Sequence, residues 1–140
     1  MAEPDDEARR RHQLGVDPAS QRYRPLEAQA AFRLEGRVGP LHRDPTGASD
    51  WLDGQERTYD AVGPVPAGRF TLRAFLRQID RHLLKQGLDR VVIDLTGLTA
   101  AERRAVLTHL RGLSPMTRTR LLIQWSRHEG GEHGRHLGSD

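Results

Sequence analysis

The feature that most constrains this chain is the run Val91-Val92-Ile93-Asp94-Leu95, bounded by charged residues on one side and Gly97 on the other. A short, continuous apolar run between breakers is the mark of a strand buried on both faces. It must be covered by a layer above and a layer below. Helical patterns stand on both sides of it in the sequence. From about Thr71 to Gln86, Leu72, Phe75, Leu76, Ile79, Leu83 and Leu84 recur at helical spacing, with Gly87 as a stop. After the run, Thr99 and Glu102 form a capping-box pair, and Val106, Leu107, Leu110 and Leu113 make an inner face. Arg120–Trp125, RLLIQW, supplies a further strand.

Upstream, Pro25 at a first helical position and Leu26, Ala30, Ala31 and Leu34 at helical spacing predict a helix ending near Gly36 to Gly39. Asp53-Gly54 marks a tight turn between two strand-like pieces, around Trp51-Leu52 and over Thr58 to Val62, which predicts a β-hairpin. The order helix, hairpin, helix, strand, helix, strand fits right-handed crossings that set the last strands parallel. The expected fold is α/β: a single compact domain over residues 23–125, with a central mixed sheet of about four strands and helices on both faces. Residues 1–22 lack apolar periodicity and read as a flexible N-terminal arm or linker, and residues 126–140 as a disordered tail.

A chain of 140 residues has room for one hydrophobic core. It contains no cysteine, which excludes disulfides, thiolate metal sites and cysteine nucleophiles together. No run approaches the roughly 18–20 apolar residues needed to span a bilayer, so no membrane partner is expected. All but one of the 22 basic residues are arginine, the exception being Lys85. Planar guanidinium groups suit phosphate binding, and an arginine-favouring codon preference accounts for the bias equally well. Either way a lone lysine is worth locating.

Hydrolysis of a phosphodiester with a divalent metal needs hard oxygen ligands, a positioned water and a cation facing the transition-state charge. Asp50 and Asp60 bracket the hairpin, so its turn brings them alongside. Glu27 lies in the first turn of the first predicted helix, and Lys85 in the last turn of the second, with His82 one turn earlier. Each has a plainer explanation: a polar strand end for the aspartates, the helix dipole for Glu27, His82 and Lys85. It is their joint order that points to a metal site.

The helix with its Glu, the stretch DWLDGQERTYDAVGP, and then a helix, a hydrophobic strand and another helix resemble the PD-(D/E)XK, restriction-endonuclease-like nuclease superfamily over about residues 24 to 125. More narrowly they resemble the C-terminal nuclease modules of bacterial polymorphic and contact-dependent inhibition toxins. The resemblance implies a restriction-endonuclease-like sheet and a metal-dependent nuclease acting on DNA or on RNA such as tRNA. It assigns the metal, Mg²⁺ first with Mn²⁺ or Zn²⁺ as alternatives, to Glu27, Asp50 and Asp60. It also implies a cognate immunity protein, and action in a bacterial cytoplasm after delivery into a target cell. The family's third motif is D-x-K, whereas this chain has Asp60-Ala61-Val62. Some members carry the lysine on the following helix, which makes Lys85 the first candidate and His82 the second. Loss of the motif lysine also leaves open a non-catalytic nuclease fold or a protein-binding α/β adaptor.

Three other features compete for attention. Asp53 is expected to shape its turn. Asp94 at the end of the buried strand is expected to cap the strand-to-helix loop, with ligand binding beyond the strand ends as its rival. Arg77, Arg81 and Arg90 would make a basic surface near the site, and the tail histidines His128, His133 and His136 are weaker metal candidates.

Overall fold

A computed structural model describes residues 4–126. The elements are α1 (Pro4–Gly15), α2 (Pro25–Val38), β1 (Leu41–Arg43), β2 (Trp51–Asp53), β3 (Thr58–Val62) and α3 (Leu72–Leu83), followed by β4 (Arg90–Asp94), α4 (Ala100–Arg111), α5 (Pro115–Arg118) and β5 (Leu121–Gln124). The five strands form one sheet in sequence order. β1, β2 and β3 run as an antiparallel meander, and β4 and β5 continue parallel to β3.

The doubly buried strand explains the architecture. Along β4 the side chains of Val91 and Ile93 enter a core with Phe75 and Ile79 of α3 and Val106 and Leu110 of α4. Val92 points the other way, into a core with Leu34 of α2, Trp51 and Tyr59. Alternation on a pleated strand therefore fills both layers at once. The sheet holds one more strand than the sequence suggested. β1 is only three residues long and follows Gly39-Pro40, too short for an alternating pattern to register. The central position belongs to β3, with β4 beside it.

Where an arm is expected at residues 1–22, Pro4–Gly15 form α1 instead, packed along α2. Its sequence shows little apolar periodicity because three uncommon devices hold it. Leu14 is the one fully buried apolar side chain described in it. Arg10 donates to Glu35 and to the Leu41 carbonyl. The Arg11 guanidinium lies 4.5 Å over the Phe32 ring. Of the segment expected as a tail, Ser126 alone is described, and it donates its N–H to Thr96; His128, His133 and His136 lie outside the described residues.

Two helix ends also differ from expectation. Thr71 accepts from Ala74 as the N-cap of α3, but the helix stops at Leu83, earlier than Gly87. Leu72 and Leu84, assigned to its apolar stripe, are exposed at 38% and 84%. The expected capping box of α4 is present, with Thr99 and Glu102 each accepting from the other's backbone N–H.

At the exit from β3 the chain passes hard against β4. Gly63 has φ +82°, and a Cβ there would sit 2.2 Å from the Asp94 carbonyl oxygen. Only glycine satisfies both conditions.

Candidate functional site

The hairpin brings Asp50 and Asp60 together by wiring each to the other's strand. Asp60 Oδ1 accepts the Asp50 backbone N–H at 2.8 Å, and Asp50 Oδ2 accepts the Ala61 N–H at 3.0 Å. The Asp60 side chain is 4% exposed. Its second oxygen, Oδ2, accepts from Lys85 Nζ at 2.5 Å, and His82 Nε2 stands 3.7 Å from the same atom. Lys85 belongs to the turn after α3 rather than to its last helical turn, since Leu84 is the C-cap. Its N–H still bonds the His82 carbonyl at 3.0 Å, which keeps it on the side of the helix end that meets β3. His82 is itself held by a contact from Nδ1 to the Gln78 carbonyl at 2.8 Å.

Glu27 approaches from α2. Its carboxylate accepts from Arg43 Nη1 at 3.0 Å, and Arg43 also donates to the Leu14 carbonyl and lies 5.6 Å over the Trp51 ring. Arg43 is a site residue the sequence did not reveal. Its segment, Leu-His-Arg, carries no motif, and only the tertiary fold places that guanidinium between Glu27 and the sheet. Thus Asp60 meets Asp50, Lys85 and His82 directly, while Glu27 and its partner Arg43 reach Asp50 through their charges.

The electrostatics are uneven. The Asp50 carboxyl is pushed up to about 7, first by burial, then by the charge of Asp60 and, more weakly, by Glu27. The Ala61 N–H and Arg43 oppose that rise without cancelling it. Two carboxylates crowded beside a third raise one pKa strongly unless a cation shares them. Among the described residues no group of three or more His, Asp or Glu side chains is gathered tightly enough to enclose a metal by itself. Mg²⁺ needs no such cage, because it keeps several waters and is held by one or two carboxylates together with substrate phosphates. The hard-oxygen pair of Asp50 and Asp60 fits that mode.

Two hollows border the cluster. An open cleft of about 490 Å³ is lined by the segment Arg22–Glu27 and by Ala61, Gly63, Pro64 and Gln78. A second, of about 350 Å³, lies against Arg81, His82, Leu84 and Lys85. Of the three arginines named as a basic surface, Arg81 therefore borders the site; Arg77 and Arg90 line neither hollow.

The other two aspartates are structural. Asp53, at the turn, accepts from the Gln55 and Arg57 N–H groups, from Arg57 Nε and from the Tyr59 hydroxyl. Burial opposes its ionisation, but these donors hold it well below the ordinary carboxylate range. Asp94 is wholly buried and accepts from Arg33, Gln124 and the Thr96 N–H. It closes the strand-to-helix loop as expected.

Comparison with known protein families, with curated proteins and with solved structures returns no match for this chain.

Proposed function

We propose that this domain is a divalent-metal-dependent nuclease, with Asp50 and Asp60 as the metal-holding pair. The observation that carries the reading is the meeting at Asp60 of groups from separate elements. β3 supplies the carboxylate, the residue before β2 supplies a second carboxyl raised to about 7, and the turn after α3 supplies the only lysine in the chain. A carboxyl poised near neutrality beside a second carboxylate is what acid–base or metal chemistry requires, and a purely structural carboxylate does not need it. The element order, a Glu-bearing helix, a hairpin, a helix, a buried strand and a helix, supports the finer reading of the fold as restriction-endonuclease-like.

In this mechanism Mg²⁺, when bound, supplies Lewis acidity at the phosphoryl oxygen and a water of lowered pKa. The protein's own residues do the rest. Asp50 and Asp60 offer hard oxygens. Lys85 keeps its ammonium within reach of the same point, where it offsets charge developing on the phosphorus oxygens. His82, close behind, is placed to pass a proton to the leaving oxygen. Glu27, steered by Arg43, orients water at the edge of the cleft. Under the toxin reading, a cognate immunity protein would cover this face and the nuclease would act in the cytoplasm of a target bacterium.

A second reading has its own observation. Val62 occupies the lysine position of the D-x-K motif and is fully buried beside Phe75 and Ile79. On that reading the fold is a non-catalytic module that binds a protein. Incubation with plasmid, single-stranded DNA and tRNA, in Mg²⁺ and in chelator, separates the two. The nuclease reading expects cleavage in Mg²⁺ that disappears in chelator, in Asp60→Ala and, to a large extent, in Lys85→Ala. Cleavage that survives Asp60→Ala or the chelator overturns the mechanism. Absence of both cleavage and Mg²⁺ or Mn²⁺ binding favours the non-catalytic module.

A further inference from the structure

We infer that the cleft beside Glu27 is a base-stacking subsite for an unpaired nucleotide, with Tyr23 as its platform; this rests on the nuclease reading and names its substrate class as single-stranded nucleic acid.

Tyr23 is one of the few large apolar side chains left open, at 44% exposure, and it lines the cleft that also holds Glu27 and Ala61. An exposed tyrosine ring is ordinarily mobile. This one is built in. One face stacks on the His12 ring, with centroids 5.0 Å apart and planes inclined by 21°. Its edge lies so close to the backbone of Gly15 that a Cβ there would come within 2.8 Å of Cε1. Tyr23 also pairs with Val16 across a tight loop closed by Asp17 N–H to the Arg22 carbonyl at 2.9 Å and by Arg24 N–H to the Gly15 carbonyl at 2.7 Å. The loop tip is fixed by Asp17, which accepts from Ala19 and Ser20.

A ring backed on one face, clamped at its edge and open towards a cleft is a preorganised stacking surface. Such a surface binds any base, because every base has a π-face, and it requires that base to be out of a duplex. The flanking residues suit the rest of a nucleotide. Arg22 and Arg24 flank Tyr23 in the lining of the same cleft, Arg24 with its guanidinium 3.7 Å from Asp17, and guanidinium groups suit phosphates. The cleft lining also contains Ala61, whose N–H is bonded to Asp50. A base seated on Tyr23 therefore puts its phosphodiester in a cleft whose lining includes Glu27 and Ala61, the residue next to Asp60. A regular duplex, whose bases are stacked on each other, offers no face to the ring.

The test uses the full chain in chelator, with 12-nucleotide single strands of DNA and of RNA containing one 2-aminopurine, and the DNA strand annealed to its complement. Stacking on a tyrosine quenches 2-aminopurine fluorescence. The expected result is quenching and binding of the single strands, with the duplex bound at least tenfold more weakly. Tyr23→Phe retains both. Tyr23→Leu, which keeps the bulk against Gly15, loses the quench and weakens binding about 5- to 100-fold, the range of a lost base–aromatic stack. His12→Ala, which removes only the backing, weakens binding by a smaller factor. Equal binding and quenching by Tyr23→Leu and the parent, equal affinity for the duplex, or no binding of any strand overturns the proposal. The nuclease reading fails separately: quenching that depends on Tyr23, without cleavage in Mg²⁺, leaves the subsite standing and removes the enzyme.

Discussion

Asp50, just before the three-residue strand β2, and Asp53, its last residue, are treated by the fold in opposite ways. Asp53 closes its own turn and receives donors from Gln55, Arg57 and Tyr59, so its carboxyl is held ionised far below the usual range. Asp50 receives one backbone donor and has Asp60 and Glu27 for neighbours, so its carboxyl is driven up to about 7. Asp53 is buried and Asp50 half-buried. The difference lies in what their neighbours offer: Asp53 is surrounded by donors from its own turn, whereas Asp50 faces other carboxylates that press it towards its protonated form.

That contrast can be broken most severely at the functional end. Asp60→Asn removes the charge that Lys85 faces while preserving shape, and we expect single-turnover cleavage to fall on the order of a thousandfold with the fold intact by circular dichroism. Retained cleavage would mean that the Asp50–Asp60 pair is no more than a strand-end contact. At the structural end, Asp53→Ala strands the buried Tyr59 hydroxyl and frees the turn. Urea denaturation should show a loss of about 2–4 kcal/mol, with cleavage per folded molecule unchanged.

The third consequence concerns pH. Asp50 has a folded-state pKa of about 7 against an ordinary value of 3.8, so between these limits the folded protein binds the proton that the unfolded chain has released. Its contribution to stability is therefore full below pH 4 and is lost as the pH rises to about 7. Asp50→Asn should abolish that dependence and raise the melting temperature at pH 8 by roughly 3–8 °C, with little change at pH 4. Saturating Mg²⁺ should raise the melting point of the parent and leave the variant nearly unmoved. A parent protein more stable at pH 8 than at pH 5 would contradict the assignment. The smallest effect is a control remote from the site: Thr99→Ala removes one half of the α4 capping box and should cost about 1 kcal/mol without touching cleavage.

The layered core was legible in the sequence because burial on both faces leaves an unmistakable run at Val91–Leu95, and caps such as Thr99 and Glu102 announce themselves locally. β1 and α1 were not. β1 has too few residues for alternation to show, and α1 is held by long-range contacts of Arg10 and Arg11 that no spacing along α1 encodes. The site was legible in its carboxylates, since Asp50 and Asp60 flank a turn that the Asp-Gly pair specifies. Lys85 was legible only through being the single lysine. Arg43 and Tyr23 were hidden because their importance depends on what lies opposite them once α1 has packed, and nothing at positions 43 or 23 records that.

Gly63 acts as a gauge block between two neighbouring strands. Its missing side chain sets how near the end of β3 comes to the Asp94 carbonyl of β4, and Asp60 rides on β3 only three residues away. A methyl group at that point would be transmitted along the strand towards the carboxylates, since close-packed interiors pass displacement on instead of absorbing it. The tolerance of the candidate site is thus set partly by an atom that is absent, in a residue with no chemistry of its own. The exposed tip of the hairpin at Gly54 has open space around it, whereas any side chain at Gly63 would disturb the wall of the cleft and the path of β3 towards Asp60.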